Sequence, residues 1–177
     1  GPFAMGVSLR TDHVFAKCND QTITMLDAQT GRVIHTTAIP GNMWGGVVVD
    51  ERTNRVFAYS WDSGQIDVLD ACTDTHVWTL PFGGDPAVDE RTGRVFVAPV
   101  PAGSPLNALP RSEVVELDGW TGAVLRRFPV AAHPQTSAMD SATGRVFIVS
   151  TGAIDASGQP KGYGVLSVLD GRSGALL

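Results

Sequence analysis

Aspartates recur through the chain at a regular spacing, and carboxylates are among the side chains that act as general acids or bases in enzymes. One set is Asp27, Asp70, Asp118 and Asp170, and a second is Asp50, Asp89 and Asp140. Each of these residues starts a short polar segment, where an Asp side chain bonds to the backbone two residues further on. Because both sets recur at this regular spacing, the pattern favours a structural role in turns over acid-base catalysis.

The histidines give the only hint of an enzyme. His133 lies in an irregular segment, Ala-His-Pro-Gln, without a partner motif, and a lone histidine in a loop is usually solvated. The sequence contains no Gly-x-Ser-x-Gly elbow, no His-x-x-x-His pair, no phosphate-binding glycine loop before a helix and no paired CxxC motif. We therefore predict no catalytic residue, no metal site and no cofactor, although an enzyme can also assemble a site from single residues that lie far apart in the sequence.

An internal repeat positions all these side chains. Its first half reads VVVDERTNRVFAYS from Val47, AVDERTGRVFVAP from Ala87 and AMDSATGRVFIVS from Ala138, with a degraded copy, VSLRTDHVFAKC, from Val7. Its second half reads TMLDAQTGRVI, DVLDACTDTHV, VELDGWTGAVL and SVLDGRSGALL. Each half consists of two β-rich runs joined by a tight turn, which predicts four antiparallel strands per repeat. Such a unit, recurring about every 40 to 50 residues without helical periodicity, indicates the blades of an all-β propeller.

The segments VDERTGRVFV and MLDAQTG carry a resemblance to a known family. They resemble the YVTN-type bacterial β-propeller repeat, a relative of the NHL and WD-repeat propellers, and the resemblance covers nearly the whole chain. It implies a ring of commonly about six to eight blades, often extracytoplasmic, that acts as a binding scaffold or occasionally as an enzyme. Two positions depart from the repeat: Ser8 stands at the position of Asp50, and Asp74 replaces a turn glycine. The repeat pattern therefore does not predict the local turn geometry at these two positions.

The repeats predict one propeller segment over residues 1–177, with blades at about 6–40, 46–82, 86–130 and 135–177. We label the strands of each blade A to D from the inside outward. The last blade is expected to lack its outer strand D, which leaves blade flanks that favour burial. Either the chain is part of a larger ring of six to eight blades, or copies assemble, for example as two arcs related by twofold symmetry.

Binding is predicted at the end of each blade that carries the B-to-C and D-to-A connections, because these vary whereas the other turns are short and alike. The candidate ligand-binding residues there are Asn42, Trp44, Trp61, Asp85, His133 and Tyr163. Two B-to-C connections, Pro99–Ser112 and Thr151–Gly164, are about ten residues longer than those of the first two repeats. They are either plain loops or the wall of a pocket.

The composition and charge of the chain argue against some classes of binding partner. The net charge is −5, no run of Lys or Arg occurs, and no apolar stretch is long enough for a bilayer, so neither nucleic acid nor membrane insertion is predicted. The two cysteines, Cys18 and Cys72, suggest no disulfide framework.

We expect a non-catalytic binding or interaction scaffold for a protein or for a small-molecule or carbohydrate ligand. The alternatives are an extracytoplasmic enzyme of the lyase, lactonase or quinoprotein kind with its site at the ring centre, and an assembly module that completes a propeller with another chain, including a homo-oligomer. An extracytoplasmic location is implied by the family resemblance.

Overall fold

The computed structural model describes residues 1–40, 45–60, 63–101, 112–153, 155 and 159–177. Regular structure in these ranges is β-strand throughout, and the described residues form no helix. Nor, in that part of the chain, is any helix long and apolar enough to cross a membrane. The chain forms two compact units, the first mainly from Gly1–Gly84 and the second from Asp85–Val100 together with most of the residues after 103.

Unit 1 contains two four-stranded antiparallel sheets, with strands in sequence order from one edge to the other. The first blade is β1 Pro2–Ser8, β2 His13–Cys18, β3 Thr22–Asp27 and β4 Val33–Ala38. The second blade is β5 Gly45–Asp50, β6 Arg55–Ser60, β7 Gln65–Asp70 and β8 His76–Leu80, after which comes the two-residue strand β9 Phe82–Gly83.

Unit 2 repeats this plan. The third blade is the sheet of β10 Pro86–Asp89, β11 Arg94–Val97, β13 Glu113–Asp118 and β14 Val124–Pro129, in that order. The two-residue strand β12 Val100–Pro101 follows β11 in the sequence and is not part of this sheet. The fourth blade is β15 Pro134–Asp140, β16 Arg145–Ser150 and β17 Val165–Asp170, followed by a single bridge between Leu169 and Leu176. The predicted all-β architecture of antiparallel blades, with the last blade short of its outer strand, is confirmed.

The landmark phenylalanines set the register of every blade. Each pairs with the inner strand at the same position: Gly6 with Phe15, Val48 with Phe57, Ala87 with Phe96, and Ala138 with Phe147. Successive strand residues point to opposite faces. We call the side that carries the landmark phenylalanine the phenylalanine face, and the side that carries the preceding valine (Val14, Val56, Val95 or Val146) the valine face.

Neighbouring blades within a unit pack phenylalanine face against valine face. In unit 1, Phe15 and Met25 of the first blade form one buried cluster with Val47, Val56 and Leu69 of the second. In unit 2, the equivalent cluster joins the third and fourth blades through Ala87, Phe96, Ala98, Val146, Ile148 and Leu169. Burial of these apolar side chains, at roughly 25 cal/mol per Å², is the main force that holds the blades of each unit together.

The repeated aspartates hold the tight turns, as the sequence predicts. The Asp50 carboxylate accepts hydrogen bonds from the backbone N–H groups of Arg52 and Thr53 and from the Thr53 hydroxyl at 2.6 Å. The two turns of a blade also bond to each other, since Ala71 N donates to Asn54 O and Gly171 N donates to Gly144 O. This end of each blade is therefore closed by its own backbone.

The degraded turn after Ser8 is completed from the neighbouring blade. The Glu51 carboxylate accepts hydrogen bonds from Leu9 N at 2.6 Å, Arg10 N at 3.2 Å and the Ser8 hydroxyl at 3.2 Å. Ser8 itself accepts one bond from Thr11 N. A carboxylate from the second blade thus replaces the aspartate that the first blade lacks.

The turn at Asp74 keeps the geometry of a glycine turn. Asp74 has a φ of 55°, close to the 76° of Gly174 at the same position of the fourth blade. Asp is among the residues that tolerate this left-handed region. Its buried side chain bonds to the outer strand of the first blade, with Thr37 Oγ1 at 2.9 Å and His35 Nδ1 at 3.1 Å from Oδ2. The aspartate therefore joins two blades as well as turning the chain.

Asp74 should give unit 1 an unusual pH dependence. Burial raises the pKa of Asp74 above its ordinary value of 3.8, and the bonds from His35 and Thr37 only partly oppose this. A raised native pKa means that the contribution of Asp74 to stability is complete below pH 3.8 and is lost as the pH rises through the native pKa. Relative to Asp74→Asn, which cannot ionise, the unaltered chain should lose stability as the pH rises through this range.

Urea unfolding of both chains at a series of pH values measures this difference. Asp140→Asn is the matched control of opposite sign, because the hydroxyl and N–H of Thr143 lower the pKa of Asp140. Its stabilising contribution is present above pH 3.8 and is lost as the pH falls through the lowered pKa. The same sign of pH dependence in both pairs would contradict the assignment of Asp74.

Candidate functional site

The B-to-C and D-to-A connections of the fourth blade lie together, and we call this the loop end of the blade. Thr151 N donates a hydrogen bond to His133 O at 3.1 Å, and Gly152 N donates to Ala132 O at 3.0 Å. Tyr163, on the same B-to-C connection, is 98 % exposed, and its carbonyl oxygen lies 3.8 Å from where a Cβ on Gly152 would stand. The structure therefore brings His133 and Tyr163, two of the predicted residues, to one end of one blade.

His133 is buried at this loop end rather than solvated. Its side chain belongs to a residue that is only 5 % exposed, and its backbone has a φ of 55°. The carbonyl accepts bonds from Thr151 N and from Gln135 Nε2, whereas the buried ring atom Nδ1 has no hydrogen-bond partner among the described residues. A buried polar atom without a partner costs about 1–3 kcal/mol, so a hydrogen bond to Nδ1 from a group outside the described residues would be stabilising.

Ser150 is a second buried polar residue at the loop end, and the sequence analysis missed it. It pairs with Pro134 in the sheet, is fully buried, and its hydroxyl has no partner in the described part of the chain. The signal that could have revealed it is the recurrence of serine three residues after the landmark phenylalanine, at Ser60 and Ser150.

Comparison of the two units explains why the Ser150 hydroxyl lacks a partner. In unit 1, the fully buried ammonium of Lys17 donates to the hydroxyl of Ser60 and, at 2.8 Å, to Tyr59 O. Lys17 lies two residues after Phe15, and the same position of the third blade is Ala98, which has no polar group. Unit 2 therefore keeps the serine of this pair but not the lysine.

Asp85 lies beside the inner strand of the fourth blade. Its carbonyl accepts a hydrogen bond at 2.9 Å from Ser137 Oγ, which is four residues beyond His133, and its buried Oδ1 atom has no partner among the described residues. The landmark register aligns Asp85 with Thr136 and not with His133. Asp85 and His133 each directly precede the inner strand of a blade, and their common role at the loop end stays a prediction.

The remaining predicted residues, Asn42, Trp44 and Trp61, lie outside the described residues. Near the first two in the chain, the loop end of the first blade carries an open groove of about 380 Å³, formed by Asp20–Thr22 and Ala38–Pro40. Ile39 N donates a hydrogen bond to Gln21 O at 2.8 Å, which joins the two segments that line this groove. The ligand-binding role of all six predicted residues stays a prediction.

The buried polar atoms of unit 2 can form hydrogen bonds. Neither Ser150 Oγ nor His133 Nδ1 has a hydrogen-bond partner among the described residues, so these two atoms are not bonded to each other. Within the described ranges no three His, Cys, Asp or Glu side chains group as metal ligands, and Cys18 and Cys72 are free thiols. Polar atoms of this kind, together with the exposed Tyr163 on the same loop end, can take part in recognising a ligand.

Comparisons with known proteins give a matching family and solved structures with a similar fold. Residues 2–177 match the family described as outer membrane protein assembly factor BamB. Hydrazine synthase of Kuenenia stuttgartiensis aligns with a TM-score of 0.75 and 14 % identity, covering 100 % of this chain and 48 % of that one. BamB from Moraxella catarrhalis aligns with a TM-score of 0.70 and 17 % identity, covering 97 % of this chain and 47 % of that one. No curated protein sequence matches the chain significantly.

These comparisons bear on the general propeller resemblance but not on the more specific repeat type. At such identities the solved structures show the fold alone, and this chain spans about half the length of each. The propeller resemblance is confirmed, whereas the more specific YVTN-type assignment stays a prediction.

Proposed function

We propose, because this chain belongs to the outer membrane protein assembly factor BamB family, that it is a non-catalytic propeller scaffold that binds a protein partner during outer membrane protein assembly. The observation that carries this proposal is the family match over residues 2–177. An extracytoplasmic location follows from the same proposal. Rigid blades with varied connections at one end suit such a scaffold, because binding residues concentrate on loops held by a stable framework.

The loop end of the fourth blade is the contact surface that we assign to this partner. Tyr163 offers an almost fully exposed aromatic ring, and tyrosines are frequent among the residues that dominate protein interfaces. At the same loop end, His133 Nδ1 and Ser150 Oγ are buried and have no partner among the described residues, so a polar group of the partner that reached them would form bonds that these residues do not supply. Asn42, Trp44, Trp61 and Asp85 extend the proposed surface.

The charge of the chain favours a protein partner. With a net charge of −5 and no basic run, the chain lacks the cationic surface that nucleic acid or an anionic membrane requires. A small-molecule or carbohydrate ligand at the same residues remains the finer alternative from the sequence, and an exposed tyrosine suits a sugar ring as well.

Binding of purified outer membrane assembly proteins from the source organism to the immobilised chain tests the proposal. We expect Tyr163→Ala to weaken binding about tenfold, the loss of one well-packed contact residue. Trp120→Ala is the matched control, because Trp120 is an exposed aromatic residue, 58 % accessible, in a turn at the opposite end of its blade. His133→Asn should also weaken binding, since asparagine tolerates the left-handed backbone but places its amide differently.

Two results would contradict this assignment. The first is equal weakening by Tyr163→Ala and Trp120→Ala, and the second is the absence of binding by a chain whose circular dichroism shows intact β-structure.

A further inference from the structure

Two paired positions at the junction between blades differ in charge between the two units. In unit 1, Ala4 pairs with Lys17 on the neighbouring strand. The landmark register makes Asp85 the equivalent of Ala4 and Ala98 the equivalent of Lys17. Unit 2 therefore has a carboxylate where unit 1 has a methyl group, and a methyl group where unit 1 has an ammonium.

The junction of unit 1 shows which chemical group this part of the fold holds. Lys17 is fully buried, and its ammonium donates hydrogen bonds to Ser60 Oγ and, at 2.8 Å, to Tyr59 O. Lys17 belongs to the first blade and Ser60 to the second. The serine hydroxyl at this position of a blade is thus an acceptor for a primary ammonium.

Unit 2 retains acceptors of this kind and lacks the ammonium. Ser150, the equivalent of Ser60, is fully buried, and its hydroxyl has no partner among the described residues. The same holds for two other buried atoms of unit 2, Asp85 Oδ1 and His133 Nδ1. A carboxylate oxygen shielded from water is stabilised most by a positively charged hydrogen-bond donor. The polar atoms of this unit therefore favour a cation that the described residues do not supply.

Hydrogen bonds and strand pairing bring Asp85 and Ser150 to the same junction. Ser137 Oγ of the fourth blade donates to Asp85 O at 2.9 Å, and Ser137 pairs with Ile148, two residues before Ser150 on the same strand. Because successive residues point to opposite faces, Ser150 shares the face of Ile148, which is buried in the junction with the third blade. Asp85 is only partly buried, so this position can be reached from solution.

We propose that Asp85 and Ser150 bind a primary ammonium, the side chain of a lysine of the protein partner, in the place that the Lys17 ammonium fills in unit 1. This inference rests on the proposed function and adds the chemistry of the group that is recognised. An ammonium has three N–H donors, and His133 Nδ1 is a further acceptor at the same loop end. The net charge of −5 also favours a cationic group.

Titration with n-butylammonium, which has the charge and the unbranched alkyl chain of a lysine side chain, tests the site without any partner protein. We expect saturable binding to the unaltered chain by nuclear magnetic resonance. Asp85→Asn should weaken it about tenfold or more, because a charge-assisted bond is lost. Ala98→Lys should abolish it, since the new side chain supplies an ammonium from within the chain.

Asp140→Asn is the matched control for Asp85→Asn. It makes the same change in the same unit, at a carboxylate that already accepts bonds from Ala142 N and Thr143 Oγ1 within its own turn. It should bind n-butylammonium as the unaltered chain does. Failure of the folded unaltered chain to bind n-butylammonium would overturn the site. Equal binding by Asp85→Asn and Asp140→Asn, with circular dichroism showing both folded, would also overturn it.

The outer membrane assembly proteins of the source organism separate this inference from the proposed function. We expect n-butylammonium to compete with the bound partner, and Ala98→Lys to weaken partner binding about tenfold or more. Partner binding unaffected by both would overturn the assignment of a partner lysine and leave the proposed function standing. Binding of n-butylammonium by a chain that binds no assembly protein would support the ammonium site and contradict the proposed function.

Discussion

Replacing Phe96 with alanine is expected to lower the free energy of unfolding of unit 2 by about 3–5 kcal/mol. The ring is 1 % exposed and lies in the cluster that joins the third and fourth blades, so the change removes buried apolar surface and leaves a cavity. The matched control is Phe147→Ala, which makes the same change at the same repeat position of the same unit. Because Phe147 is partly exposed, it should cost about half as much or less.

Urea unfolding measures both losses. Equal losses at the two positions would show that the difference in burial between Phe96 and Phe147 does not set their contributions to stability.

The second large effect is expected where the outer strand of one blade contacts the C-to-D turn of the next blade. The two units fill this contact with different pairs of side chains, which can be exchanged by mutation. In unit 2, the Phe128 ring covers Gly174, and a Cβ there would overlap the ring. In unit 1, Thr37 occupies the position of Phe128 and bonds to Asp74, which occupies the position of Gly174. Gly174→Asp should therefore destabilise the chain by about 1–3 kcal/mol through overpacking, with a further cost from its positive φ.

Addition of Phe128→Thr to Gly174→Asp should recover part of this loss, because the pair then has the side chains of Thr37 and Asp74. The coupling energy from a double-mutant cycle of the unfolding free energies measures the recovery, and we expect it to favour the double variant by about 1 kcal/mol or more. Strictly additive losses would show that the two junctions are not interchangeable.

The sequence predicts the elements of this fold because each blade is specified locally. Strand, turn and landmark residues recur in the same order in each copy, and the side-chain hydrogen bonds of Asp50 and Asp140 connect residues at most three apart. The all-β architecture, the turn role of the aspartates and the incomplete fourth blade could therefore be predicted.

Contacts between blades could not be predicted in the same way. Glu51 completes the turn after Ser8 from 42 residues away, at Leu9 N, and no local pattern marks it as the substitute for a missing aspartate. The burial of His133 likewise depends on Thr151 and on a left-handed backbone at a residue that is not glycine. Ser150 was missed because its polar atom is exceptional only beside Ala98, a residue of the preceding blade that replaces the equivalent of Lys17.

The loop end of the fourth blade is where these unpredicted contacts converge. Two buried polar atoms that have no partner among the described residues lie there beside backbone hydrogen bonds, and Tyr163 of the same loop end is 98 % exposed. A partner that binds this framework meets groups already held in place, so little conformational entropy is lost on binding.

Site-specific photo-cross-linking tests the central claim, partner binding at this loop end, most directly. A photoreactive amino acid is introduced at position 163 in one chain and at position 120 in another, and each is irradiated with the outer membrane assembly proteins of the source organism. We expect a cross-linked product identifiable by mass spectrometry as an assembly protein from position 163, and none from position 120. Cross-links from position 120 alone, or from both positions equally, would contradict the assignment of the binding surface to the loop end.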